Sequence, residues 1–74
     1  MNVTKNIKKY ILDLGINLSE LARKTNVSYF NLYNSLSKDG ERELKADELM
    51  MVCYVLHLNP MDYCDFATEG ENND

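Results

Sequence analysis

The chain has 74 residues, 45% of them hydrophobic, and its formal net charge at pH 7 is −4. A chain of this length has room for one domain with one core, and its stability margin is expected to be thin. No run approaches the ~18 uncharged apolar residues of a membrane span, and Met1–Lys5 does not lead into a signal-peptide apolar segment. The sequence therefore predicts a small cytoplasmic protein without a membrane partner.

The charge is divided unevenly along the chain. Residues 1–45 contain all eight Lys and Arg residues and five acidic residues, which gives this segment a net charge of +3. Residues 46–74 contain seven acidic residues and no Lys or Arg, which gives −7. Affinity for nucleic-acid phosphates depends on local charge, so the first segment can bind them if the acidic segment points away. The acidic segment is also the main feature that opposes a nucleic-acid function.

Two cysteines and one histidine, Cys53, Cys64 and His57, lie among apolar residues. Two cysteines are too few for a disulfide framework or a tetrahedral zinc site, and no second ligand stands at helical spacing from the histidine. We expect all three side chains to pack in the core, and we predict no metal and no cofactor. The chain also lacks a Ser-His-Asp set and a glycine-rich phosphate loop, which argues against an enzyme with a small-molecule substrate.

Hydrophobic periodicity and capping residues predict the first two helices. Apolar residues recur at steps of three and four over Val3–Leu14, and Gly15 follows where a helix commonly ends. Asn17 is a candidate N-cap for a second helix over about Leu18–Lys24. Glu20 stands three positions after this cap, where it can complete a capping-box arrangement.

A short turn and a third helix come next. Thr25-Asn26-Val27 breaks the helical pattern, and its central asparagine tolerates positive φ better than most residues. Ser28 is a candidate N-cap for a third helix that ends near Ser37, with Leu32 and Leu36 as its buried positions. The sequence therefore predicts two short helices joined by a turn of about three residues.

The second half of the chain is predicted to contain a loop, a fourth helix and a fifth. Residues 37–43 are polar without a hydrophobic period and form the loop. Ala46–Leu58 is almost continuously apolar, so this helix is central to the core or buries one side in a partner. Its first apolar stripe is Leu49, Val52, Cys53 and Leu56, and its second is Met51, Val55 and Leu58.

The end of the chain is predicted to hold a short fifth helix and a tail. Asn59-Pro60 favours a helix start, and Met61–Ala67 supplies apolar residues that can dock on the core. We therefore assign residues 1–67 to one domain and residues 68–74 to an acidic, flexible tail.

Residues 17–36, NLSELARKTNVSYFNLYNSL, resemble the helix-turn-helix of the phage repressor and Cro family of XRE-like regulators. The resemblance includes Leu21-Ala22 in the first helix of the motif, Val27 after the turn and Leu32 in the second helix, and it extends over residues 3–66. It implies a compact, all-α, five-helix, lambda-repressor-like domain. It also implies a small transcriptional regulator of prophage or mobile-element type that binds double-stranded DNA.

Two residues depart from the pattern of that family. Asn26 stands where the family usually has glycine, and asparagine can adopt the same backbone conformation. Ser35 stands where an apolar residue is commoner, so we expect Leu36 to anchor the third helix instead.

The resemblance implies that the second helix of the motif enters the major groove while the first aims its N-terminus at a phosphate. Asparagine pairs bidentately with adenine, and an aromatic ring can lie against a thymine methyl group. Because this helix has no arginine for guanine, we expect A·T-rich sites. The residues expected to contact bases are Ser28, Tyr29, Phe30, Asn31 and Asn34. Those expected to contact the DNA backbone are Asn17, Leu18, Ser19, Arg23, Tyr33, Lys38, Arg42 and Lys45.

Other interpretations of these residues stay open at this point. The aromatic residues Tyr29, Phe30 and Tyr33 can instead be core or surface-covering side chains, and the lysines of the first helix are expected to form a solvated face. A protein-interaction module of the same fold, an antirepressor or assembly factor with little DNA binding, is the alternative function.

The small number of basic residues predicts an oligomer. A single domain of this kind would bind one half-site weakly, so we expect a homodimer on a pseudo-palindromic operator. We place the dimer interface on the second apolar stripe of the fourth helix, together with the fifth helix.

Overall fold

The computed structural model describes residues 3–64 and, within them, contains four α-helices, one 3-10 helix and no strand. This confirms the predicted all-α class. The five-helix count is not confirmed, because the last element is a 3-10 helix of four residues. The predicted helical residues Phe66 and Ala67 and the predicted tail over residues 68–74 lie outside the described residues. The elements are α1 (Val3–Leu14), α2 (Leu18–Thr25), α3 (Tyr29–Leu36), α4 (Ala46–Leu56) and the 3-10 helix (Pro60–Tyr63).

Local capping explains where the first three helices begin and end. Gly15 takes φ +66 directly after α1, a conformation that lets the chain leave a helix without a Cβ clash. The Asn17 side chain accepts a hydrogen bond from the Glu20 N–H at 3.0 Å. Ser28 Oγ accepts one from the Asn31 N–H at 3.3 Å. These contacts confirm both predicted N-caps.

Hydrogen bonds of Thr25 and Asn26 stabilise the turn between α2 and α3. Asn26 has φ 61, the left-handed conformation expected at the family's glycine position, and its N–H donates to the Ala22 carbonyl at 2.9 Å. The buried Thr25 hydroxyl donates to the Leu21 carbonyl at 2.8 Å and accepts from the Val27 N–H at 3.3 Å. These bonds satisfy backbone groups at the end of α2 and set the direction in which α3 departs.

All four α-helices contribute to one hydrophobic core, in which α3 packs on α1 and α2, and α4 packs on α2. Leu36 is buried as expected, and the neighbouring Ser35 is fully buried beside it. Burial raises the pKa of the Cys53 thiol, which therefore packs as a small apolar group, whereas Cys64 is only half-buried. The core residues are Ile7, Ile11, Leu21, Ala22, Leu32, Leu36, Val52 and Cys53.

The C-terminal end of α4 differs from the sequence-based expectation. His57 adopts φ 60, and its N–H donates to the Tyr54 carbonyl, so the helix ends before the apolar run does. Because His57 is exposed, the expectation that it packs in the core is wrong. The 3-10 helix then returns to α1, where the Asn6 side chain donates to the Tyr63 carbonyl at 2.7 Å. None of the described helices is long and apolar enough to cross a membrane.

The loop between α3 and α4 is attached to both helices by Arg42. Its guanidinium donates to Ser35 Oγ and to Glu48 Oε2, both at 2.9 Å. Glu48 is only 8% exposed, and its other oxygen accepts the Lys45 N–H at 2.9 Å. The hydrogen bond from Arg42 is the largest cause that holds the pKa of Glu48 below its ordinary value, against the opposing effect of burial.

We predict that alanine at Asn26 destabilises the protein whereas glycine does not. Asn26→Ala is expected to cost about 1 kcal/mol of unfolding free energy, because asparagine adopts the left-handed conformation at a lower cost than alanine does. Asn26→Gly is expected to be at least as stable as the wild type. Urea unfolding followed by circular dichroism measures both, and equal losses in the two variants would show that the asparagine side chain matters instead.

We also predict a pH-dependent contribution from Glu48. At pH 7, Glu48→Gln is expected to lose about 1.5–3 kcal/mol, the range for hydrogen bonds to charged groups. The folded-state pKa of Glu48 is lowered from 4.5, so its stabilisation is complete above about that pH and disappears as pH falls through the lower value.

The wild type and Glu48→Gln should therefore converge in stability as the pH is lowered from 7 to below 4. Glu41→Gln, which changes an exposed carboxylate of the same loop, is the matched control. Thermal unfolding across this pH series measures the difference, and a gap that stays constant with pH contradicts the assignment.

Candidate nucleic-acid interface

The outer face of α3 carries aromatic and amide side chains. Its eight residues make about two turns, and Leu32, Ser35 and Leu36 are buried. At ~100° per residue, this orientation places Phe30 and Asn34 on the side opposite the core, although Asn34 is half-buried. Phe30 is 72% exposed, although an aromatic ring of this size is usually buried. The outer face of α3 is therefore an apolar and amide surface that the core does not use.

Tyr29 and Asn31 lie at the two edges of this outer face. Tyr29 and Tyr33 are each about half exposed, and their ring centroids are 5.9 Å apart, so the two phenol rings pack against one another. Asn31 is half-buried, and its backbone carbonyl accepts a hydrogen bond from Arg42 Nη1 at 3.4 Å. None of the three aromatic residues of α3 is a core residue.

The N-terminus of α2 offers backbone donors. Helix geometry leaves the N–H groups of Leu18 and Ser19 without an intrahelical acceptor, whereas Asn17 caps the Glu20 N–H. The Glu20 carboxylate pairs with Arg23 rather than closing a capping box, and the hydrogen bond in this pair lowers the pKa of Glu20. Arg23 is thus exposed at the predicted phosphate-contacting surface, but an adjacent carboxylate offsets its charge.

The basic residues of the loop fall into two environments. Lys38 and Lys45 are exposed, as a phosphate contact requires. Arg42 is half-buried, and both of its terminal nitrogens already donate to Ser35 and Glu48. The geometry therefore gives no support to the expected phosphate contact of Arg42, because that contact would compete with a nearly buried ion pair.

A polar cleft of about 530 Å³ adjoins the C-terminal end of α3. Lys5 and Lys8 of α1 line it together with Lys38, and the Lys8 amine donates to the Gly40 carbonyl. The sequence predicts a solvated face for the lysines of α1, and no local pattern indicates that two of them lie beside this loop. Its acidic lining residues are Asp39, Glu41 and Glu43.

The described residues contain no group of three or more His, Cys, Asp or Glu side chains that is placed to hold a metal ion. Both cysteines are free thiols, and Cys64 Sγ donates to the Pro60 carbonyl at 3.4 Å. The interface described above consists instead of groups that bind by hydrogen bonding, apolar contact and charge.

Residues 6–69 match the family model of the Cro/C1-type HTH DNA-binding domain. The matched range contains α2, the turn, α3 and α4, and therefore the whole outer face of α3. Comparison with curated proteins and with solved structures gives no match. The match covers most of the chain and agrees with the geometry of the two short helices. The chain belongs to the Cro/C1-type family of helix-turn-helix DNA-binding domains.

Proposed function

We propose that this protein is a small cytoplasmic transcriptional regulator that binds operator DNA sequence-specifically, with α3 in the major groove. The observation that carries the proposal is the outer face of α3, where the exposed Phe30 and the half-buried Asn34 lie opposite the side by which the helix packs on the core. Rigid presentation suits base reading, because hydrogen bonds to base edges require a fixed geometry. The resemblance to phage repressors supports a prophage or mobile-element role.

The chemistry of this face favours A·T base pairs. The Asn34 and Asn31 amides can each pair with N6 and N7 of adenine, and the Phe30 ring can lie against the thymine methyl group. Ser28 and Tyr29 stand at the N-terminal end of α3, which enters the groove first in this family of folds. No residue of α3 is Arg or Lys, so the bidentate contact that usually reads guanine is absent from this helix.

Groups on both sides of α3 would hold the DNA backbone. The N-terminus of α2 supplies the free N–H groups of Leu18 and Ser19 for one phosphate. Lys38 after α3, with Lys5 and Lys8 of α1 in the adjoining cleft, provides positive charge on the other side, which the acidic lining residues of the cleft partly offset. These contacts set register and orientation without reading sequence. Further contacts come from Asn17, Arg23, Tyr33 and Lys45.

We further propose a homodimer on a pseudo-palindromic operator. Met51 and Tyr54 stand three positions apart on α4 and are both exposed, so they share one outer face of the helix. Val55 and Leu58, the other residues of the predicted second stripe, pack partly buried against the protein's own core. Tyr54 is 76% exposed, and Met61 of the 3-10 helix is exposed as well. An apolar face of this kind is expected to be covered by a partner, and a second copy would place two α3 helices on successive half-sites.

A protein-interaction module is the second candidate function. It is favoured by the lack of any basic residue in α3 and by the exposure of Tyr29, Phe30 and Tyr33, since exposed aromatic residues are enriched at protein interfaces. Such a module predicts no salt-dependent binding to DNA.

We predict salt-dependent, A·T-preferring DNA binding. Fluorescence anisotropy with random and A·T-rich duplexes should show an affinity that falls steeply with salt, as counterion release requires. The slope of log affinity against log salt is negative, and Lys38→Ala should reduce its magnitude by about 0.9, the value for one phosphate contact. Asn34→Ala should relax the sequence preference by about 1–3 kcal/mol with the slope unchanged.

Two controls sharpen this experiment. Lys9→Ala removes the same charge from an exposed position of α1 that pairs with Asp13 at 2.8 Å, and it should leave the slope unchanged. Deoxyuridine in place of thymidine removes only the methyl groups, and Phe30→Ala should abolish sensitivity to that replacement. Lack of wild-type binding even at low salt would refute operator binding and favour the protein-interaction module.

We predict that Tyr54→Glu prevents dimerisation without unfolding the domain, because the Tyr54 side chain is largely exposed. Leu14→Glu, which places the same charge at an exposed apolar position of α1, should leave the dimer intact. Since residues 46–74 carry a charge of −7, salt should strengthen the dimer while it weakens DNA binding. Sedimentation equilibrium at tens of micromolar measures this, and a purely monomeric wild type rules out the dimer.

A further inference from the structure

Arg42 joins α3 to the start of α4. Its Nη1 donates to Ser35 Oγ at 2.9 Å, and its Nη2 donates to Glu48 Oε2 at 2.9 Å. Its backbone N–H donates to the Asn34 carbonyl at 3.0 Å. Glu48 also accepts the Lys45 N–H. Through these bonds Arg42 connects the end of α3, the loop and the first turn of α4.

These contacts fall on the two asparagines proposed to read bases. Nη1 of Arg42 also donates to the backbone carbonyl of Asn31 at 3.4 Å, while the backbone N–H of Arg42 donates to the backbone carbonyl of Asn34. Helix geometry leaves the Asn34 backbone carbonyl without an intrahelical donor, and the Arg42 N–H supplies one. The Asn31 backbone carbonyl stands four residues before Ser35 of the same helix, so the Arg42 side chain adds a second donor there. A displacement of Arg42 would therefore shift the backbone that carries both amide side chains.

The loop backbone lies directly against this end of α3. A Cβ built at Gly40 would collide with the carbonyl groups of Tyr33 and Asn34, so only glycine permits the approach. The Lys8 amine donates to the Gly40 carbonyl and so ties the loop to α1. The loop that carries Arg42 is therefore held in one position from two sides.

We infer that Arg42 is a positioning residue of the DNA interface, which sets where Asn31 and Asn34 meet the base edges without itself contacting DNA. This inference rests on the groove-reading function proposed for α3. The opposing assignment makes Arg42 a phosphate contact. That contact requires the guanidinium to leave Ser35 and Glu48, which would leave a carboxylate that is 8% exposed without its partner.

The two assignments predict different changes in DNA binding. A phosphate contact contributes to the salt slope and equally to all sequences, whereas a positioning residue contributes to the ratio of specific to non-specific affinity. A residue that only stabilises the fold changes neither, since unfolded molecules lower both affinities by the same factor. The ratio of affinities therefore separates positioning from stability.

The experiment uses the full chain, a duplex selected by the wild type from a randomised pool, and a scrambled duplex of the same composition. Arg42→Lys keeps the charge but not the planar fork that reaches Ser35 and Glu48 together. We expect it to lower the affinity ratio about tenfold, the loss of one asparagine–adenine pair, with the salt slope unchanged.

Glu48→Gln provides the decisive second variant, because this carboxylate is itself no phosphate contact. Positioning predicts that Glu48→Gln lowers the affinity ratio as Arg42→Lys does, whereas a phosphate contact predicts tighter binding once Arg42 is released. Glu41→Gln, at an exposed position of the same loop, should leave the ratio unchanged. Circular dichroism at the binding temperature checks that every variant is folded.

The outcomes separate this inference from the function on which it rests. Wild-type sequence preference with an unchanged ratio in Arg42→Lys and Glu48→Gln overturns the positioning role alone. A third variant, Arg42→Gln, removes the charge, and a salt slope whose magnitude falls by about one in it, with the ratio preserved, assigns Arg42 to a phosphate instead. A wild type without sequence preference overturns the proposed function and the positioning role together.

Discussion

The interface depends on the burial of Leu32 and Leu36, because α3 is too short to be a stable helix alone. It has eight residues, whereas isolated helices below about 12–15 residues are marginal in water. Its conformation therefore comes from packing on α1 and α2. Once these two leucines are buried, the position of every other side chain on two helical turns follows, and Phe30 and Asn34 face outward. The core thus determines which residues the protein can present to DNA.

Apolar packing fixes which side of α3 is buried, but polar contacts fix its two ends. At the start, Thr25 and Asn26 satisfy the last backbone groups of α2 and turn the chain towards α3. At the other end, Arg42 and Ser35 take part in hydrogen bonds that an apolar side chain at either position would not make. A short helix can rotate or slide on an apolar surface at little cost, whereas directional hydrogen bonds at both ends resist those movements.

Local features of the fold could be predicted from the sequence, and distant contacts could not. Asn17, Ser28 and Asn26 act within three residues of their own positions, so their side-chain chemistry indicates their caps and turn directly. The Arg42–Glu48 pair and the approach of Lys8 to Gly40 depend on how the helices pack together. Hydrophobic periodicity and capping residues do not predict that packing. The exposure of His57 was not predicted, because the apolar residues around it in the sequence suggested burial. In the structure, the left-handed end of α4 exposes its side chain. Ser35 departs from the family pattern, but the sequence does not indicate that its hydroxyl accepts a hydrogen bond from Arg42.

The use of arginine in this protein bears on how an acidic chain can bind DNA. The chain has only two arginines, and both pair with carboxylates, Arg23 with Glu20 and Arg42 with Glu48. Among the proposed phosphate contacts, the basic residues that have no carboxylate partner are therefore lysines, which act as point charges rather than as planar, bidentate donors. Attraction of that kind comes mainly from counterion release and carries no sequence information. Discrimination between sites must then come from the uncharged outer face of α3, so affinity and specificity reside on separate sets of residues.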